Sequence, residues 1–298
     1  MLKKTVLLEN KASLYTKNLQ LVIKTETRES SIPIEDIGYL VIDHPEIFLS
    51  IPATNLLVEN NAAVIICGKN HLPNGMFLNL NSHHIQQEIF KNQIEASVPL
   101  KKQLWQQTVI EKITNQGILL EKITGEKNTL DFLASKVLSG DTGNMEGIAA
   151  NLYWKAFFEN STFKKFKRER FGDYPNNFLN YGYAILRAAT ARALSGSGLL
   201  NTLGIHHKSK YNAFALADDI MEPFRPLVDE KVFEIINKYD DQELSTATKA
   251  ELLQILTRTL YFEDEKSPMM VALQKTASSL QQCYTGERKK IKYPKLWN

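Results

Sequence analysis

The chain has 298 residues, 43% of them hydrophobic, and a formal net charge of +3. That length suits two domains with real cores, and no apolar run reaches the roughly 18–20 residues of a membrane span, which excludes a membrane-embedded helical protein. Residues 1–90 carry 7 Lys/Arg against 9 Asp/Glu, and residues 91–298 carry 29 against 24, so a polyanionic partner would prefer the second part.

At the N-terminus, Glu9 and Lys11 end a short apolar run before an export-signal core can form. Residues 5–9, 19–24, 37–42 and 62–67 are Val/Ile/Leu-rich runs bounded by Asn, Lys, Ser and Pro clusters, and read as strands. The stretch 31–34 contains Pro33, which suits a sheet edge or a strand end. Pro52 suits the first turn of a short helix over 53–59. Pro73-Asn74-Gly75 marks a turn before a strand at 76–80. Many short strands at close spacing argue for a small β-sandwich or open barrel.

From His83 the period becomes helical, with Ile85, Ile89, Ile94, Leu100, Leu104, Val109 and Ile113 at helical intervals. Further helices are expected over 131–138, 146–159, 177–194, 213–221, 230–238, 249–260 and 268–284. The expected fold class is α+β: a β domain over residues 1–82, then an all-α domain over 83–298. Cys67 and Cys283 lie far apart without secretory context, which reads as free thiols in a cytoplasmic protein.

The candidate chemistry sits in the second part. Glu146 follows Asp141 and Asn144, either of which can cap its helix, and a first-turn Glu is favoured by the helix dipole whatever else it does. Gly147, Ala149 and Ala150 beside it would admit a close neighbour. His206 and His207 precede a helix that carries Asp218, Asp219 and Glu222 beside an apolar face. Helical spacing would project these acids to one side. The histidines are too loosely spaced from them to be a metal motif by themselves, but a neutral imidazole with two carboxylates from separate elements would make a mixed site for Mg²⁺ or Mn²⁺. Pro223 biases Glu222 away from the α region; the plainer alternative is a helix stop with Arg225 paired to Glu222 or Asp229. Arg187 and Arg192, on an Ala-rich helix, would serve a partner or a buried acid. Lys164, Lys165, Lys167, Arg168 and Arg170, and the run 288–292, are either phosphate-binding strips or solvated faces. No phosphate-loop or dinucleotide fingerprint is present.

Residues 211–229, YNAFALADDIMEPFRPLVD, closely resemble the C-terminal signature of the CRISPR adaptation integrases, the larger subunit of the spacer-acquisition complex. The segment 32–38, Leu104-Trp105 with Lys112-Ile113-Thr114-Asn115-Gln116, Gly143-Asn144-Met145-Glu146-Gly147, and 179–187 match further motifs of that family in its order, in a style most like type II systems. The resemblance implies a metal-dependent DNA endonuclease and integrase of antiviral defence. Its metal ligands and catalytic residues would be Glu146, His207 (four residues before Tyr211-Asn212) and Glu222, binding Mg²⁺ or Mn²⁺ with Asp219 in support. His206 stands where the family has another residue type. The implied reaction is attack of a fragment's 3′-hydroxyl, or of water, on a target phosphodiester. The implied partners are double-stranded DNA fragments and repeat DNA, a second copy in a homodimer, and the small second subunit. Lys164, Lys165, Arg168 and residues 288–292 would contact DNA. A metal-dependent nuclease without integration and a non-catalytic DNA-binding scaffold are the competing readings.

Overall fold

A computed structural model describes residues 3–79, 83–159, 163, 166–169, 172–240, 242–263 and 265–298. Strands β1 (Lys4–Leu8), β2 (Ala12–Lys17), β3 (Gln20–Lys24), β4 (Glu29–Pro33), β5 (Ile37–Ile42), β6 (Ile47–Leu49), β7 (Ala63–Cys67) and β8 (Pro73–Phe77) form two four-stranded sheets, with helix α1 (Ile51–Glu59) between β6 and β7. The sheet orders are β1-β5-β7-β8 and β4-β3-β2-β6.

β5 pairs in parallel with both β1 and β7 and is buried along its whole length. Covered on both faces, it has no reason to alternate polar and apolar residues, and IGYLVI does not. Leu40 and Ile42 join Leu14, Leu21, Leu57 and Val64 in the core of the β part. Tyr39 and Val41, on the opposite face of the strand, join the core of the helical part. Sequence reading misses β2, whose ASLYTK alternates buried and exposed positions only over its first residues, and β6, which has three residues. The proline-containing stretch does end an edge strand, β4.

The helical part contains α2 (Gln86–Glu95), α3 (Val98–Thr124), α4 (Leu130–Ser135), α5 (Met145–Phe157), α6 (Asn176–Gly196), α7 (Ala215–Met221), α8 (Arg225–Lys238), α9 (Thr246–Leu253) and α10 (Met269–Tyr284). It is mostly helical rather than all-α. Strands β9 (Thr259–Tyr261) and β10 (Lys266–Pro268) pair antiparallel, and Tyr261 bridges Lys295. The helix expected over 249–260 stops in a 3₁₀ turn at Gln254–Thr257 because Thr259-Leu260-Tyr261 is strand-forming, with Leu260 turned inward.

Two helices organise this part. α3 starts at Ser97, whose hydroxyl accepts from Leu100 N at 3.3 Å, and ends at Gly125 with φ 73°. α6 is buried along most of its length, and Gly182 admits α8: a Cβ there would lie 2.4 Å from Val228 Cγ1. The β and helical parts are tied by Lys249 Nζ, 2.7 Å from Asp43 Oδ2 and 3.0 Å from Glu9 Oε1, and by Arg192 Nε on the Asn61 carbonyl at 2.6 Å. Cys67 and Cys283 are free thiols. No helix among the described residues is long and apolar enough to cross a membrane.

Candidate metal centre

Glu146 stands in the first turn of α5 because Asp141 caps that turn. Asp141 Oδ1 accepts from Met145 N at 2.9 Å and Oδ2 from Glu146 N at 3.0 Å. The Glu146 side chain reaches α3, where Lys112 Nζ lies 2.6 Å from its Oε1. The same ammonium lies 2.6 Å from Glu222 Oε2. One lysine thus joins two acids that are distant in sequence, and its side chain is only 10% exposed.

Glu222 opens the 3₁₀ turn Glu222–Phe224 between α7 and α8. Pro223 does not turn it out of the helical region; Glu222 keeps φ −52° and ψ −45°. The proline is tolerated because the helix narrows there and restarts at Arg225. Arg225 Nη1 donates to Glu222 Oε1 at 2.8 Å, and its guanidinium lies 4.0 Å from the Tyr183 ring centroid. Asn115 Nδ2 donates to the Pro223 carbonyl at 2.9 Å, fixing the turn to α3. Burial pushes the Glu222 carboxyl up, but Arg225 and Lys112 outweigh it and hold it at about 2.

His207 comes from the loop before α7, and Asp219 shapes that loop. Its fully buried carboxylate accepts from Ile205 N at 2.6 Å, His206 N at 3.0 Å and His207 N at 3.2 Å, and lies 2.6 Å from His207 Nδ1. An ionised carboxylate only accepts, so Nδ1 carries the hydrogen and Nε2 keeps its lone pair when the ring is neutral. The hydrogen bond to Asp219 raises the His207 pKa against the opposing effect of burial. Gly204 makes the wrap possible, since a Cβ there would meet the His207 carbonyl at 2.5 Å and Asp219 Oδ2 at 2.8 Å. His206 is spent on packing: its ring stacks on Trp105 at 4.3 Å and 4°.

Asp218, Asp219 and Glu222 do not share one side. Asp218 and Glu222, one turn apart, line the same cleft, where Asp218 accepts from Arg187 Nε at 2.6 Å and Asn212 Nδ2 at 2.7 Å; Asp219, about 100° round the helix from Asp218, faces the loop instead. His207, Asp218, Glu222, Arg168, Arg187 and Arg225 line one cleft of about 490 Å³. Lys112, Asn151, Trp154, Lys155, Arg168 and Arg225 line a second of about 570 Å³. Arg168 is not a loose surface cation; its guanidinium donates to Asn176 Oδ1 at 2.9 Å and Asn180 Oδ1 at 2.6 Å. Lys164 and Lys165 lie outside the described residues. The 288–292 run is partly packed: Ile291 is buried and Arg288 Nε donates to Gln282 Oε1 at 3.1 Å.

Of the sequence candidates, Glu146 and Glu222 meet at Lys112, while His207 and Glu222 meet in one cleft. Among the described residues no three His, Cys, Asp or Glu side chains gather closely enough to hold a metal ion as they stand. The donor set nevertheless suits a hard divalent ion: two carboxylates and an imidazole already fixed through Nδ1. Glu222 Oε2, buried and facing Lys112 without the alignment of a hydrogen bond, has acceptor capacity to spare. Lys112 is the site residue that reasoning from composition and spacing misses. Its signal is its place on the α3 face that buries Trp105, Thr108 and Val109, where a lysine needs an acid.

The fold is thus β-then-α, and its helical part brings together two carboxylates joined by one lysine, an anchored imidazole and two arginine-lined clefts. Residues 5–262 match the sequence profile of "CRISPR associated protein Cas1". The chain is 36% identical to the CRISPR-associated endonuclease Cas1 of Neisseria meningitidis serogroup C (strain 8013), over 98% of this chain and 96% of that one. It belongs to the Cas1 family. Its fold is similar to that of a casposase bound to integration product (TM-score 0.76, 21% identity, 97% of this chain and 92% of that chain). It is equally similar to that of a chain in a Cas6-RT-Cas1–Cas2 complex (TM-score 0.76, 21% identity, 99% of this chain and 36% of that chain).

Proposed function

We propose that this chain is a metal-dependent DNA endonuclease and integrase that inserts new fragments into a CRISPR array. The observation that carries the reading is the convergence of Glu146 and Glu222 on one cation, beside the cleft that His207 lines. Family membership supports it, as do the name of the Neisseria relative and the fold likeness to a casposase bound to integration product.

Glu146, His207 and Glu222 would hold Mg²⁺ or Mn²⁺. Such an ion, when bound, polarises a phosphate oxygen and stabilises charge developing there. The chain's own residues do the rest. Asp219 holds His207 by Nδ1 so that Nε2 remains available. Arg225 and Arg187 bring fixed positive charge to the cleft, where a phosphodiester would sit. The fragment's 3′-hydroxyl attacks the target phosphorus, a new phosphodiester forms, and the target strand's own 3′-oxygen leaves. Water in place of that hydroxyl gives a cut.

One site serves one strand. Joining both ends of a fragment therefore calls for two copies of the chain, set apart by a small second subunit. The Cas6-RT-Cas1–Cas2 assembly supports such a partner. The cytoplasm, where the array lies, is the place of action, and the role is antiviral defence.

The test is strand joining. Purified chain, the small subunit, a short duplex with free 3′-hydroxyls and a supercoiled plasmid bearing the repeat are incubated with Mn²⁺ or Mg²⁺. Joined product is expected only with the ion, and Glu146→Ala or Glu222→Ala should abolish it. Full joining by both variants would overturn the assignment, and cutting without joining would reduce the function to a nuclease.

A further inference from the structure

We propose that Lys112 is a tethered counter-cation that occupies the Glu146–Glu222 site until a divalent ion displaces it into the neighbouring cleft. The inference rests on the metal-site reading above and concerns how that site is kept in the absence of an ion.

Two carboxylates brought together in a largely closed setting repel, and each is costly to bury unpaired. Here their charge is matched: Lys112 and Arg225 face Glu146 and Glu222, two cations to two anions. A divalent ion added to that balanced group would bring it to a net charge of +2, with an ammonium against the metal. The arrangement is relieved if the ammonium leaves. Arg225 is the less able to move, since its guanidinium is stacked on Tyr183 as well as paired to Glu222.

Lys112 has somewhere to go. It lines the cleft of about 570 Å³ with Asn151, Trp154 and Tyr183. Its stem is a flexible four-carbon chain ending in a compact charge, unlike the planar fork of arginine. Its helix, by contrast, is held in place. Asn115 grips the Pro223 carbonyl and Trp105 stacks on His206, so α3 contacts both the turn bearing Glu222 and the loop bearing His207. The backbone can therefore stay while the side chain swings. Once displaced, the ammonium adds a cation to a cleft that already holds Lys155 and Arg168, where a DNA phosphate would be drawn.

The experiment measures Mn²⁺ affinity of the full chain without DNA, by electron paramagnetic resonance of free Mn²⁺, together with Tm with and without the ion. Lys112→Met should bind Mn²⁺ about tenfold tighter or more, because the competing charge is gone. It should also melt lower than wild type without Mn²⁺ and gain more Tm on adding it. Lys112→Gln, which keeps polar contact with both carboxylates, should tighten binding in the same direction and carries the test if the Met variant does not fold. Unchanged or weaker binding in the folded variants, with wild type binding normally, would overturn the proposal and leave the metal site standing. Absence of Mn²⁺ binding by wild type, or unaltered binding in Glu222→Gln, would instead sink the metal site and this proposal together.

Discussion

Asp219 holds His207 twice, through its backbone N–H and through its ring Nδ1, while also taking the N–H groups of the two preceding residues. One buried carboxylate thus sets both the path of the loop and the direction of the imidazole. Asp219→Ala strands these donors. It should cost about 3 kcal/mol in urea unfolding and weaken Mn²⁺ binding by about 10–100-fold, although Asp219 is not among the proposed ligands. Asp219→Asn should fall between. Wild-type Mn²⁺ affinity in a folded Asp219→Ala protein would refute the orienting role.

The same pair makes stability depend on pH. Asp219 raises the His207 pKa above 6.5, so the folded chain holds the proton more tightly than the unfolded chain. The stabilisation is complete below the unfolded value and is lost as pH rises through the higher folded one. The advantage of wild type over His207→Gln should therefore shrink as the pH rises from the unfolded value of about 6.5 through the higher folded one. Mn²⁺ binding should strengthen over the same interval, since the ion needs the neutral ring. A stability gap that does not change with pH would contradict the shift.

Arg225 shields Glu222 from one side as Lys112 does from the other. Arg225→Ala leaves a carboxylate only 6% exposed with half its compensation and should cost about 3–5 kcal/mol. Arg225→Lys restores the charge but loses the planar contact with Tyr183 and should recover only part. Combining Arg225→Ala with Glu222→Gln should cost less than the two changes summed, read from a double-mutant cycle of urea midpoints.

Lys249 ties the β and helical parts together from a nearly closed position, its side chain 4% exposed and that of Asp43 2% exposed. Lys249→Met should destabilise by about 3–5 kcal/mol because Asp43 and Glu9 both lose their ammonium; Asp43 keeps His71 Nδ1 at 2.8 Å as a partner. Adding Asp43→Asn should return part of that loss. If Lys249→Met melts like wild type, the tie contributes nothing.

How far the sequence reveals this molecule depends on the range of each interaction. The cap on α5 was readable because Asp141 and Glu146 are neighbours along the chain, as was the pairing of Arg225 with Glu222, three residues apart. The strands and most helices follow from local period. Lys112 was legible only as part of a family motif, because a lysine on a helix reads as solvated until its acids, supplied by other elements, are in place. Arg187 and Asp218 each stand out along the chain, but their pairing requires the packing of α6 on α7. β9 and β10, three residues apiece, are strands only because they find each other and Lys295. Asp219 was expected to stand beside Glu222; it faces the loop instead, a choice made by Gly204, whose missing side chain lets the backbone close around it.

The centre described above borrows from α3, α5, the loop before α7 and the turn after it, and none of these elements holds more than one of Lys112, Glu146, His207 and Glu222. No single element carries the set. Bringing residues so far apart in sequence together costs loop-closure entropy before their contacts repay it. A nascent or partly unfolded copy therefore has its acids scattered and its imidazole unaimed, and the arrangement exists only in molecules that have finished folding.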